Sequence, residues 1–206
     1  MTDQVVLVPG LWMPGAVMAL LAARLARHGY RVRVFPYSGR RLFDANVERL
    51  ARFARETLGG HASHFVGHSL GGVLILDMLN RHPEIAARSA VLLGAPVRGC
   101  FAGRRFGLAS VGRWMMGGCG PRCEERAATW RRSSTPLGVV AGTRPMGLGR
   151  VFGSLPGPND GVVCVSETTV EGMAAQALVP LGHSVLIVSG RVARMVERFL
   201  AGGRFE

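Results

Sequence analysis

"HFVGHSLGGV", residues 64–73, holds Ser69 between two apolar runs, with a glycine two positions away on each side. The run at 63–69 is typical of a buried strand, and the apolar segment at 70–83 is typical of a helix that Pro83 ends. Glycines at these spacings avoid side-chain clashes in a sharp strand-to-helix turn. We therefore expect Ser69 to be a nucleophile on such a turn; the simpler alternative is a glycine-rich turn with a capping serine.

Outward from this stretch, strands and helices alternate along most of the chain. Strand patterns predict further strands at 4–10 and 89–96, at 135–143, at 30–39 with a turn at Pro36, and at 175–184, where the last strand is followed by its turn. Helical spacing of apolar residues predicts helices at 15–29, 43–60 and 184–203. Strands that alternate with helices of this length build a mostly parallel central sheet with helices on both faces. We expect an α/β fold and, at 206 residues, a single domain.

The composition is that of a globular chain, with 48% apolar and 18% charged residues. No apolar run reaches the roughly 18 residues that would span a bilayer, so no transmembrane segment is expected. The start "MTDQVVLVPG" lacks the basic residues and the cleavage site of a signal peptide. We expect a cytoplasmic protein, unless a leader has been removed.

The net charge of +12 comes from arginine, since the chain has no lysine. A coding bias towards arginine is one explanation, and attraction to anionic surfaces is the other. The chain has no zinc-finger spacing, no RNP motif and no basic stripe interleaved with aromatic residues, so nucleic acid is not an expected partner. Anionic lipid and an acidic carrier remain candidate partners.

The cysteines are Cys100, Cys119, Cys123 and Cys164. The segment "CGPRC" could close a local disulfide, but no further Cys or His flanks it to complete a zinc site. Free thiols in a reducing compartment are the preferred interpretation. We expect no metal and no cofactor.

A nucleophilic serine needs a general base, and His183 in "VPLGHSVL" is the one histidine after Ser69 that follows a predicted strand. His82 ends the helix that starts at Ser69, on the wrong side of the sheet. The remaining histidines precede Ser69, and His68 beside it is expected to pack rather than to react.

The base needs an acid, and Asp160 in "GPNDGVV" lies in a turn-forming loop between a predicted strand and His183. Asn-Asp-Gly is also turn chemistry in its own right, so a plain turn aspartate is the alternative. Glu167 and Glu171 lie further on, in a segment expected to face solvent, and Asp77 is expected in the body of a helix.

The pattern Gly-His-Ser-Leu-Gly at 67–71 matches G-x-S-x-G between a strand and a helix. With it the segments "VLVPGLW", "LLGAP", "VVAGT", "NDGVV" and "LGHS" follow in order, and the whole chain resembles an α/β-hydrolase, more narrowly a small bacterial lipase or esterase. The resemblance implies that Ser69 attacks an acyl carbonyl to form an acyl-enzyme, that His183 acts as base and then acid, and that Asp160 orients the imidazole.

The resemblance also implies an oxyanion hole formed by the backbone N–H groups of Leu70 and Leu11. Many relatives carry His-Gly in the turn after the first strand, where this chain has Pro9-Gly10. Because the donor is a backbone N–H, the oxyanion hole does not depend on a histidine side chain at this turn. Either Leu11 or Trp12 would supply the second N–H.

Residues 97–134 interrupt the alternation and are rich in glycine and arginine. The resemblance places a short cap or lid here. Its apolar residues would line an acyl pocket together with Trp12 from the turn after the first strand, or would simply pack the cap onto the domain: Phe101, Phe106, Trp114 and Met115. The expected function is cleavage of small-molecule or lipid carboxylic esters. An acyltransferase or thioesterase acting on a carrier-bound acyl group is the first alternative, and an inactive hydrolase fold used as a binding module is the second.

Overall fold

Six parallel strands form one sheet in the structure, a computed structural model that describes residues 3–108, 110, 117, 131, 134–146 and 155–206. The strands are β1 (Gln4–Val8), β2 (Arg31–Val34), β3 (Ser63–His68), β4 (Ala87–Leu93), β5 (Leu137–Gly142) and β6 (Ala175–Val179). The strand order across the sheet is β2-β1-β3-β4-β5-β6, and every neighbouring pair is parallel.

Helices cover both faces of this sheet. The helices in the described residues are α1 (Ala19–Arg27), α2 (Phe43–Leu58), α3 (Leu70–Arg81), α4 (Phe101–Gly107), α5 (Val165–Thr168), α6 (Val185–Val188) and α7 (Gly190–Gly202). Along β1, Val6 and Val8 belong to one apolar cluster with α2 and α3, whereas Val5 and Leu7 belong to another with α1 and α7. This alternation is the period of two that a strand imposes, and it confirms the predicted α/β fold.

Two predicted helices differ from the structure. The first begins with a short 3₁₀ turn at Gly15–Met18 before α1. The predicted helix over 184–203 is two helices, because Ser189 has an extended backbone at φ −69° and ψ 127°. The Ser189 hydroxyl accepts a hydrogen bond from the backbone N–H of Val192, which caps α7.

The parallel arrangement determines where the candidate residues lie. Ser69 follows β3 directly, the loop with Asp160 comes after β5, and His183 comes four residues after the end of β6. Because the carboxyl ends of parallel strands meet at one edge, all three candidates lie at the same edge of the sheet. No helix among the described residues is long and apolar enough to cross a membrane.

Candidate active site

Ser69 has a strained backbone between β3 and α3. Its φ of 52° and ψ of −126° lie outside the regions that side-chain-bearing residues normally occupy. Its N–H donates to the Leu93 carbonyl of β4 at 2.8 Å, and its own carbonyl accepts from the Gly72 N–H at 3.0 Å. A Cβ at Gly71 would collide with the Val8 carbonyl oxygen, so the turn can form only with glycine there. These contacts hold the serine at the carboxyl end of β3.

A buried histidine–aspartate pair lies at the same edge. His183 Nδ1 is 2.7 Å from Asp160 Oδ2, and the aspartate is only 1% exposed. The other carboxylate oxygen accepts the backbone N–H groups of Val162 at 3.0 Å and Val163 at 2.8 Å. Since a carboxylate held in this way only accepts, the His183 ring donates from Nδ1, which leaves Nε2 free to accept a proton.

Two contacts connect the pair to the serine turn. Gly94 follows Leu93, and a Cβ on Gly94 would lie 3.1 Å from Asp160 Oδ2 and 3.2 Å from His183 Nδ1. The ring of His68, the residue before Ser69, has its centroid 4.6 Å from that of His183. The structure therefore brings the three predicted catalytic residues to one place.

The turn after β1 lies beside the serine. A Cβ on Gly10 would be 3.2 Å from the Cβ of Ser69, so this turn and the serine turn are in close contact. Leu11 follows directly, and Trp12 has a positive φ of 61° with 55% of its surface exposed. Leu70 is the first residue of α3, where a backbone N–H has no intrahelical acceptor. The two predicted oxyanion donors thus belong to the two segments that meet at Ser69.

Residues 5–197 match the model of the alpha/beta hydrolase family. The chain belongs to this family. The match covers most of the sequence and confirms the resemblance to α/β-hydrolases.

Several solved structures are similar to this chain in fold. The mature form of Bacillus licheniformis lipase BlEst2 superposes with a TM-score of 0.81 at 17% identity, covering 98% of this chain and 92% of that one. A metagenomic carboxyl esterase gives a TM-score of 0.66 at 17% identity, covering 88% and 64%. A carboxylesterase structure from the thaumarchaeon Nitrososphaera gargenis gives 0.65 at 13% identity, covering 98% and 91%.

In this α/β-hydrolase, part of the predicted cap segment contacts the turn after β1. The rings of Phe106 on α4 and Trp12 meet edge to face, with centroids 5.8 Å apart. Phe101, at the start of α4, is partly buried and lies under the Arg105 guanidinium at 5.1 Å. Trp114 and Met115, the other predicted pocket residues, lie outside the described residues, as do Cys119 and Cys123.

The prediction that Glu167 faces solvent is wrong. This carboxylate is only 8% exposed. One of its oxygens accepts the N–H of Phe101, and the other accepts the N–H of Cys164 at 2.7 Å. Glutamate three residues after a helix-capping position is a known N-terminal signal, and it is present here in Cys164–Glu167. Glu167 therefore joins the segment after Asp160 to the start of α4. Glu171 is exposed, as expected.

Cys100 and Cys164 are free thiols near this carboxylate. Burial is the main cause that raises the pKa of Cys100 to about 12 and that of Cys164 to about 11. The Cys100 sulfur accepts the Gly103 N–H at 3.3 Å. A thiol with so high a pKa is a poor nucleophile at neutral pH.

Proposed function

We propose that this protein is a serine hydrolase that cleaves carboxylic esters of small molecules or lipids, with Ser69 as nucleophile, His183 as general base and Asp160 as its orienting acid. The observation that carries the proposal is the buried 2.7 Å hydrogen bond between His183 and Asp160, at the edge where the strained Ser69 turn lies. A plain turn aspartate would have no need of a histidine on its second oxygen.

The proposed reaction has two halves. The Ser69 hydroxyl oxygen attacks the ester carbonyl while His183 Nε2 takes the hydroxyl proton. The tetrahedral oxyanion accepts hydrogen bonds from the N–H groups of Leu70 and Leu11, and its collapse breaks the C–O bond as His183 returns the proton to the leaving alcohol. Water then attacks the acyl-enzyme by the same sequence, which releases the acid and restores Ser69. Asp160 accepts hydrogen bonds on both of its oxygens, so its role in this scheme is to orient the imidazole ring.

We propose that α4 is the start of a cap that lies over the acyl group. The contact between Phe106 and Trp12 supports this, because it sets aromatic surface next to the turn that would supply an oxyanion donor. The exposed Arg104 and Arg105 on α4 add positive charge at the same edge. They favour anionic lipid or an acidic carrier near the site, so carrier-bound thioesters are a second substrate class to test.

The test is hydrolysis of p-nitrophenyl esters of increasing acyl length, together with labelling by a fluorophosphonate that reacts with activated serines. We expect turnover and labelling in the wild type, and a loss of about 10⁴-fold or more in kcat for Ser69→Ala. Ser89→Ala is the matched control, because Ser89 is a buried serine bonded to a histidine, His64, at the other edge of the sheet.

A folded wild type that neither hydrolyses any ester nor reacts with the fluorophosphonate would contradict the proposal. Labelling without ester turnover would instead direct the test to thioesters, with the same two variants as controls.

A further inference from the structure

His68 makes a contact with the proposed base that the reaction does not use. It is the last residue of β3, only 1% exposed, and its Nε2 lies 3.1 Å from the His183 carbonyl oxygen. A carbonyl oxygen can only accept, so Nε2 carries the ring hydrogen and donates it. Nδ1 is then the unprotonated nitrogen, and it has no hydrogen-bond partner in the described part of the chain.

The same ring also reaches the turn after β1. A Cβ on Gly10 would lie 2.9 Å from His68 Nδ1, so the backbone of that turn is packed against the edge of the imidazole. One side chain therefore fills the space between the turn that precedes Leu11 and the loop that carries His183. A change in the size or position of the His68 ring would therefore displace both the turn at Gly10 and the loop that carries His183.

The backbone of His183 is held from two directions. Its N–H donates to the Asp160 carbonyl at 2.9 Å, and its carbonyl accepts from His68. Together with the bond from Nδ1 to the Asp160 carboxylate, these contacts fix both the main chain and the ring of the base. Without His68, the carbonyl would be a buried acceptor with its partner removed.

His68 stays neutral while it makes this contact. Burial, and then the neighbouring His183 ring, lower the pKa of His68 to about 3, against the opposing effect of its hydrogen bond to the His183 carbonyl. In the described structure, His183 is the titratable group whose charge acts on the pKa of His68. His68 therefore places no second positive charge beside His183 when that ring becomes an imidazolium.

We propose that His68 is a positioning residue, whose Nε2–H holds the His183 carbonyl and so fixes the base relative to Ser69 and to the turn at Gly10. This inference rests on the proposed function, and it adds a role for a histidine that neither attacks nor accepts the substrate's proton. Errors of about 1 Å in the position of a catalytic group reduce rates by about 100-fold, so such a residue has a kinetic signature.

The test compares kcat in two variants that lose the hydrogen bond to the His183 carbonyl with kcat in one variant that keeps it. His68→Leu removes the donor, and His68→Asn keeps an amide that is too short to reach the carbonyl. His68→Gln keeps an N–H at about the reach of Nε2. We expect kcat to fall about 10- to 100-fold in the Leu and Asn variants, with KM within about twofold, and to recover most of that loss in the Gln variant.

His64→Leu is the matched control, because His64 is also buried on β3 but bonds Ser89 at the opposite end of the strand. It is expected to lower thermal stability and to leave kcat within about twofold. Positioning by His68 is refuted if its Leu and Asn variants keep wild-type kcat, or if the Gln variant is as slow as they are.

A second measurement separates this inference from the proposed function. The Nδ1–H proton between His183 and Asp160 is expected to give a far-downfield proton NMR signal, which needs no substrate and is observable in Ser69→Ala. We expect the signal to broaden or shift when His68→Asn is added and to return with His68→Gln. An unchanged signal in Ser69→Ala/His68→Asn contradicts positioning even if no ester is ever hydrolysed.

Discussion

Two sets of Ser, His and Asp lie at opposite edges of the same sheet, and they differ in how their residues are held. At the amino-terminal edge, His64 Nδ1 is 2.8 Å from the Ser89 hydroxyl, and its Nε2 is 3.8 Å from Asp3 Oδ2. Asp3 is partly exposed and also pairs with Arg88 at 3.1 Å. Ser89 lies within β4.

The set at the carboxyl-terminal edge differs in three respects. Its aspartate is buried and bonds the histidine at 2.7 Å. Its serine has a strained backbone before a helix N-terminus, where developing negative charge is stabilised. Its histidine is held through its main chain as well as its ring. The two sets therefore share their residue types and differ in the backbone that holds those residues, which is why we propose a reaction for only one of them.

The largest expected effect comes from the two aspartates. Asp160→Asn keeps the shape of the side chain but offers an N–H or a weaker acceptor to His183 Nδ1, and we expect kcat to fall about 10³- to 10⁴-fold. Asp3→Asn is the matched change at the other edge and is expected to stay within about twofold. The measurement is kcat on the best ester substrate. Equal effects of the two changes would remove the distinction between the edges.

A smaller effect, on the free energy of unfolding, is expected from Glu167. Its carboxylate contacts the segment after Asp160 and so belongs to the carboxyl-terminal set alone. Glu167→Gln replaces one of two accepting oxygens by an N–H donor that faces a backbone N–H, and the cost is about 1–3 kcal/mol of unfolding free energy. The exposed Glu171→Gln is the control and is expected to change stability by less than about 0.5 kcal/mol. Urea unfolding measures both. If Glu167→Gln is as stable as wild type, the hydrogen bonds from Phe101 and Cys164 to Glu167 do not contribute to the free energy of unfolding.

The smallest expected effect is on the pH dependence of folding, and it involves both edges. Burial lowers the pKa of His64 and, further, that of His68 to about 3. In the unfolded chain these histidines bind protons below about pH 6.5, and in the folded chain only at lower pH. Each therefore contributes stability above about pH 6.5 that is lost as the pH falls, with a slope of up to about 1.4 kcal/mol per pH unit.

Urea unfolding at about pH 7 and about pH 5 tests this. His68→Gln and His64→Gln should each reduce the loss of stability between the two pH values, and the His68 change should reduce it more. If His64→Gln reduced the loss of stability more than His68→Gln, the stronger lowering of the His68 pKa would be contradicted.

Much of the fold follows from local patterns. The alternation of β-branched runs with apolar helical segments predicts the parallel sheet, since each element's periodicity depends only on its own residues. Gly67 predicts the tight turn for the same reason, because a Cβ there would collide with the Gly72 backbone in the turn itself, whereas the clash that requires Gly71 is with the Val8 carbonyl of β1. The break at Ser189 was missed, since the apolar periodicity of α6 and α7 continues across it.

The sequence by itself determined the sheet, the serine turn and, through chain order and family resemblance, the identity of the histidine and aspartate to examine. Tertiary structure alone decided that Asp160 is bonded to His183, that Glu167 is buried, and that His68 meets a carbonyl 115 positions away. The reason is physical: a turn or a helix depends on neighbours in the chain, whereas burial and a hydrogen bond between distant segments depend on how the helices and loops pack against the sheet.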